Sequence, residues 1–198
     1  MLLYTPEVDE SQTDEELIVA YRAGEEQAFS ELVGRHLGLV YSFARRFVGN
    51  ERDAEDIAQD SFLKAWKSIA SYSSESAKFK TWLMRIVRNT AIDYLRKRKE
   101  RPFSLFESDE HEMPFENLSD DAPDAVDLFA AAGDQRELER AIAELSPAHR
   151  DVLILYYEGD RTFEEVAAIT GESVNTVKSR HRRAVSALRK LLSTQFGQ

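Results

Sequence analysis

Gly171 constrains this chain more than any other residue, because it separates two short segments that each carry their own helix signals. Residues 162–183 read TFEEVAAITGESVNTVKSRHRR. Thr162 can cap the amide of Glu165 while Glu165 reaches back to the amide of Thr162, so a helix is predicted to start there. Val166, Ala167 and Ile169 give that helix an apolar face. Only glycine enters the left-handed backbone region without a steric penalty, so the chain is expected to turn sharply at Gly171. Ser173 suits the cap of the next helix. In it Val174, Val177, Ala184 or Val185, and Leu188 recur at three- and four-residue steps and are predicted to pack inward. The opposite face is Asn175, Thr176, Lys178, Ser179, Arg182 and Arg183. Ala167, Gly171 and Val177 also keep the spacing of a helix-turn-helix, with a small residue where the helices touch, a glycine turn and a branched apolar anchor. A helical hairpin with a merely solvated basic face is the blander alternative. His181 falls at the edge of the inward stripe, where a hydrogen-bonded boundary histidine is expected rather than a base contact.

Upstream, hydrophobic periodicity predicts a helical block to about residue 100, a linker over 101–135 and a C-terminal helical block over 136–198. Thr13 and Glu16 form a second capping box, leading into Leu17, Ile18 and Tyr21. A longer helix follows with Phe29, Leu32, Val33, His36, Leu37, Val40, Tyr41, Ala44 and Phe47 at helical steps, ending at Gly49 and Asn50. Gly34 and Gly38, four apart, suggest close approach of a neighbouring helix. In a third helix, DAEDIAQDSFLKAWKSI, Phe62, Ala65, Trp66 and Ile69 are expected to point one way and Asp53, Asp56, Gln59 and Asp60 another. A fourth runs from about Phe79 to Lys99, with Phe79, Trp82, Leu83, Ile86, Val87, Thr90 and Tyr94 inward and Arg85, Arg88, Asn89, Arg96 and Lys99 outward. Pro102 stops it. A short helix around Gln135 to Leu145 then leads to Ser146-Pro147, a cap followed by proline at the first helical position. The linker, with Pro114 and Pro123 and little periodicity, is expected to be extended or disordered when free. The fold class is therefore all-α, two small helical domains joined by an acidic linker.

Several function classes drop out on composition. The chain has no cysteine, so disulfides and thiolate metal sites are excluded, and its four histidines lack zinc-ligand spacing. No apolar run approaches the roughly 20 residues of a membrane span, and Glu7, Asp9 and Glu10 replace a signal peptide's basic start. A cytoplasmic protein without membrane insertion is expected. The net charge of −10 runs against DNA binding until it is divided along the chain. Residues 1–100 hold 15 Lys/Arg against 17 Asp/Glu, residues 101–135 hold 1 against 10, and residues 136–198 hold 10 against 9. Two near-neutral domains on an acidic strap should bind free DNA poorly, since non-specific affinity comes mainly from phosphate neutralisation.

Three faces could carry function. Asp53, Glu55, Asp56 and Asp60 suit a divalent cation, a solvated surface or docking onto a basic protein. No nucleophile and base pair stands beside them, which weighs against a nuclease. The basic side of the fourth helix, with Tyr72 and Trp82, suits melted nucleic acid, where arginines track phosphates and aromatics stack on bases. Asn89 could bond a base edge; Trp82 is better placed in the core.

DAEDIAQDSFLKAW, then FKTWLMRIVRNTAIDYLRKRK, an acidic linker, LSPAHRDVLILYYEG and TFEEVAAITGESVNTVKSRHRRAVSALRK together resemble the small two-domain bacterial sigma factors of the extracytoplasmic-function group. The resemblance covers about residues 14–100 and 136–192. It implies that the second and third helices dock on the clamp coiled coil of core RNA polymerase, with Asp56, Gln59, Asp60 and Phe62 in the matching segment and Asp53 beside them. It implies that the loop holding Tyr72, with Asn89, captures a flipped minus-10 base, next to Arg85, Arg88 and Arg96. Lys178, Ser179, Arg182 and Arg183, flanked by Asn175 and Thr176, would read the minus-35 element. The linker would thread toward the polymerase active-site cleft, and an anti-sigma factor is an expected partner. In two places the chain departs from the family: His181 stands where an aliphatic residue is expected, and no arginine lies between Tyr72 and Lys78. The expected protein is not an enzyme and needs no cofactor or metal. A stand-alone helix-turn-helix regulator, dimeric on a palindrome, is the alternative.

Overall fold

The computed structural model describes residues 12–99, 135–158 and 161–196. The described residues are helical and contain no strand. The linker expectation over 101–135 therefore lies almost wholly outside them. Among the described residues two compact units emerge, one made of residues 12–45 with Asn50–Ala91, the other of Arg46–Gly49 with the described residues from Ile92 onward.

Helix α1 (Asp14–Arg22) begins at the expected capping box, with Thr13 and Glu16 exchanging both bonds. Positive-φ Gly24 follows, and α2 runs Glu26–Val48. Asp14 ties the two together. Its carboxylate accepts from Arg35 at 2.9 Å and bonds His36 Nε2 at 2.8 Å. Burial alone would raise the Asp14 pKa, but the His36 and Arg35 contacts outweigh it and hold the carboxyl below its ordinary 3.8. Leu17, Ile18, Leu32, Val40 and Phe43 are buried from these two helices. Gly38 does not serve the close helix approach expected of it, because a Cβ built there would meet open space. Leu37, expected in the inward stripe, is exposed on the same side.

Helix α3 (Glu51–Ser68) is capped by Asn50, whose side chain accepts from the Asp53 amide at 2.9 Å and donates to the Asp53 carboxylate at 2.6 Å. A 3-10 turn, Ile69–Ser71, leads to the loop before α4 (Phe79–Lys99). Ile57, Ala65, Ile69, Leu83, Met84 and Val87 complete the first core. Lys64 crosses from α3 to donate to Thr90 Oγ1 on α4 at 3.0 Å.

The second unit holds α5 (Gln135–Glu144), α6 (Pro147–Glu158), α7 (Phe163–Thr170) and α8 (Val174–Phe196). Ser146 accepts from the His149 amide at 3.3 Å, as its place before Pro147 predicts. Arg150, buried on α6, donates to the carbonyls of Ile142, Ala143 and Leu145, satisfying the orphan acceptors where α5 ends. Burial pushes its pKa down. Ala141, Val152, Leu155, Val166, Ile169, Val177, Ala184 and Leu188 form the core on which α8 packs against α5, α6 and α7.

Candidate functional site

The turn between α7 and α8 has the chemistry read from the sequence. Thr162 and Glu165 form a complete capping box, Gly171 sits at φ 77°, ψ 19°, and the Thr176 amide donates to Ser173 Oγ at 3.1 Å. With Val166, Ala167 and Ile169 buried from α7, and Val177, Ala184, Val185 and Leu188 from α8, the two helices close on one another. Asn175, Thr176, Lys178, Arg182 and Arg183 are left exposed, with Ser179 half-buried among them. Arg183 donates to Ser179 Oγ at 3.0 Å, and Lys178 Nζ stands 5.7 Å from the Phe163 ring centroid, a cation–π distance. Arg180, in the same basic run, is committed elsewhere. It pairs with Glu172 in the turn, both half-buried, and so ties the turn to α8. His181 occupies the boundary place expected of it, bonded to the Tyr157 hydroxyl at 3.0 Å.

On α4, Arg85, Asn89 and Arg96 are exposed and Arg88 half-buried. Steps of three, four and seven residues bring all four to one side of the helix. Arg96 leans on Asp93 at 3.0 Å, with both side chains about half exposed. The loop before α4 is organised differently from the sequence reading. Tyr72 is only 5 % exposed, its ring set against Phe79 at 5.7 Å and Trp82 at 5.3 Å, and its hydroxyl donates to the Ala77 carbonyl at 3.0 Å. This corrects the picture of that ring as a stacking surface for bases: the ring closes the core, and the loop folds around it. Burial first, and then the Glu15 carboxylate, push the Tyr72 phenol up to about 12, so it remains a donor. Trp82 packs with Tyr72 and Phe79, in keeping with its expected core role.

On α3, Asp56, Gln59 and Asp60 are exposed and Phe62 half-buried. Asp60 accepts from Lys64 at 2.9 Å. Two residues sit where the sequence did not put them. Asp53 is buried against Asn50 at the helix start, so it leaves the exposed acidic face. Trp66, expected to point inward with Ala65 and Ile69, is 47 % exposed, beside the exposed Leu63. Among the described residues no group of three or more His, Asp or Glu is arranged to hold a metal ion. Nor is any described helix long and apolar enough to cross a membrane.

Arg22 had no sequence signal. It donates from α1 to the carbonyls of Ile69, Ala70 and Tyr72 at 2.7, 3.3 and 2.6 Å, fixing where the loop leaves α3. Its partners lie some 47 to 50 residues away, beyond any helical period. The rings around His181 likewise come from other helices, whereas the Glu172–Arg180 pair is local in sequence but joins a turn residue to a helix, which helical period does not describe.

Residues 32–101 match the Sigma-70 region 2 family, and residues 141–190 match Sigma-70, region 4. The chain is 31% identical over 173 residues to the ECF RNA polymerase sigma factor SigW of Bacillus subtilis, covering 86% of this chain and 92% of that protein. It is 34% identical over 170 residues to ECF RNA polymerase sigma factor RpoE of Cereibacter sphaeroides, covering 85% and 88%. Among solved structures it is similar to CnrH in complex with the cytosolic domain of CnrY, with TM-score 0.65, 27% identity and coverage of 92% and 99%. It is also similar to RpoE in complex with the anti-sigma factor NepR from Bartonella quintana, with TM-score 0.61, 27% identity and coverage of 83% and 96%. A chain whose described residues are helical, with these two matched regions in this order and over this much of its length, belongs to the ECF RNA polymerase sigma factors, which are transcription initiation factors and not enzymes.

Proposed function

We propose that this chain binds core RNA polymerase through α2 and α3, reads a minus-10 element with α4 and a minus-35 element with α8, and works in the cytoplasm under control of an anti-sigma partner. The division of labour follows the sequence: residues 1–100 for polymerase and minus-10 contact, 101–135 as linker, 136–198 for minus-35 contact. The observation that carries this reading is a pair of differently charged helix faces within Sigma-70 region 2, coupled to an exposed polar and basic face on α8. A regulator acting alone has no need of an acidic docking face beside a basic one.

Asp56, Gln59, Asp60 and Phe62 then form the polymerase contact, here toward the clamp coiled coil, while Asp53 braces the helix they stand on. Arg85, Arg88 and Arg96 track the displaced strand, Asn89 bonds a base edge, and Tyr72 holds the loop in shape from beneath. Opening is driven by capture of unstacked bases, which offsets the few kcal/mol that each flipped base costs. Asn175, Thr176, Lys178, Ser179, Arg182 and Arg183 face the major groove upstream. The anti-sigma partner is supported by the likeness to the sigma factor RpoE in complex with the anti-sigma factor NepR from Bartonella quintana.

Run-off transcription with purified core polymerase on genomic template tests the reading. Promoter-specific transcripts that depend on this chain are expected. Their absence, with the chain alone protecting a palindrome, would return it to the stand-alone regulators.

A further inference from the structure

The one histidine on α8 lies at a junction of three helices. The His181 ring stands 4.8 Å from that of Tyr156 and 5.5 Å from that of Tyr157, both on α6, and 5.2 Å from Phe163 on α7. Tyr156 and Phe163 stack at 4.5 Å with an interplanar angle of 22°, so the cluster is a packed aromatic floor and not a loose gathering of rings. A 3.0 Å hydrogen bond between His181 Nε2 and the Tyr157 hydroxyl adds direction to that packing. His181 also shares a helical turn with Lys178 and Arg182, which project from α8 to solvent.

An aliphatic side chain at this position would fill the same space and grip α8 through dispersion, which is non-directional and tolerates small rotations. A hydrogen bond weakens steeply away from its preferred distance and angle. Turning α8 by about 10° about its axis carries a side-chain atom some 6 Å from that axis by roughly 1 Å, enough to spoil a bidentate contact with a base edge. Phosphate contacts, made by long flexible cations, follow such a movement more easily.

We propose that His181, bonded to Tyr157 on the Tyr156 and Phe163 floor, is a positioning residue that fixes the rotational register of α8 and thereby the sequence preference of minus-35 readout. The inference rests on the assignment of α8 to minus-35 recognition. His181 acts through the helix and touches no base.

The test uses holoenzyme reconstituted from core polymerase and the full chain, presented with a duplex library randomised across the upstream element, with bound duplexes sequenced. Enrichment of the preferred words over the library is the readout, alongside total duplex retained. Tyr157→Phe, which removes only the hydroxyl, and His181→Leu are each expected to lower enrichment by roughly threefold to tenfold, the worth of one hydrogen bond, with total retention unchanged. The double variant should fall no further than either single one. His181→Gln, which keeps a polar group near the Nε2 position, should recover part of the loss. Enrichment at the wild-type level in Tyr157→Phe would overturn the proposal, even if His181→Leu failed to fold. Equal loss of enrichment and retention would reduce the pair to ordinary packing. A wild-type holoenzyme that enriched no words would instead overturn the minus-35 assignment, and this inference with it.

Discussion

Arg182, exposed on α8, and Arg180, pinned to Glu172, differ in what they can do although only two positions separate them. Arg182→Ala is expected to weaken holoenzyme binding at a matched upstream element by about 1–3 kcal/mol, with little change on scrambled DNA in a competition assay. Arg180→Ala should act instead by loosening the turn, lowering the melting temperature and both affinities together. The depressed pKa of Asp14 makes stability depend on pH. A carboxyl held below 3.8 contributes stability that is present above that value and lost as the pH falls through the folded-state pKa. Asp14→Asn should therefore destabilise the N-terminal unit near neutral pH by about 1–3 kcal/mol, the worth of charge-assisted bonds. The gap between variant and wild type should close as acid protonates Asp14, and urea melts across pH 2–7 would follow it.

Helix ends decide much of the element-scale behaviour. Arg150 satisfies three carbonyls where α5 stops, so Arg150→Met is expected to lower the stability of the C-terminal unit by about 2–4 kcal/mol. The expected loss exceeds that for Thr162→Ala, which removes one capping side chain at a cost of about 0.5–2 kcal/mol. Thermal melts of the two variants would rank them, and the reverse order would mean that α5 does not depend on the arginine. Capping boxes, the Gly171 turn and the extents of α2, α4 and α5 were legible in the sequence, because each depends on residues within a helical turn of one another. The placing of Trp66, Leu37 and Asp53 was not. Helical period says which residues share a face, but the neighbours that bury a face belong to other elements.

For the whole molecule, the charge distribution sets the behaviour of the free chain. Two near-neutral blocks flank a segment with 10 acidic residues against one basic residue, so the isolated protein should bind duplex DNA weakly and with a shallow salt slope. Holoenzyme should bind the same duplex far more tightly, and titrations at several salt concentrations would compare the two. Asp56→Ala combined with Asp60→Ala, on the exposed side of α3, is expected to weaken association with core polymerase by about 1–3 kcal/mol without altering the melt. A lowered melting temperature would show that these carboxylates support the helix instead.

The order of helices, their caps, the helix-turn-helix and the family resemblance were all present in the sequence by itself, since periodicity, capping and turn chemistry act over a few residues. Tertiary structure decided which of the chemically capable side chains face outward. It drew Tyr72 under its own loop, tied Arg22 to carbonyls that begin 47 residues away and set His181 among three rings. Such choices depend on which distant surfaces meet and what they bury, and no local pattern encodes that.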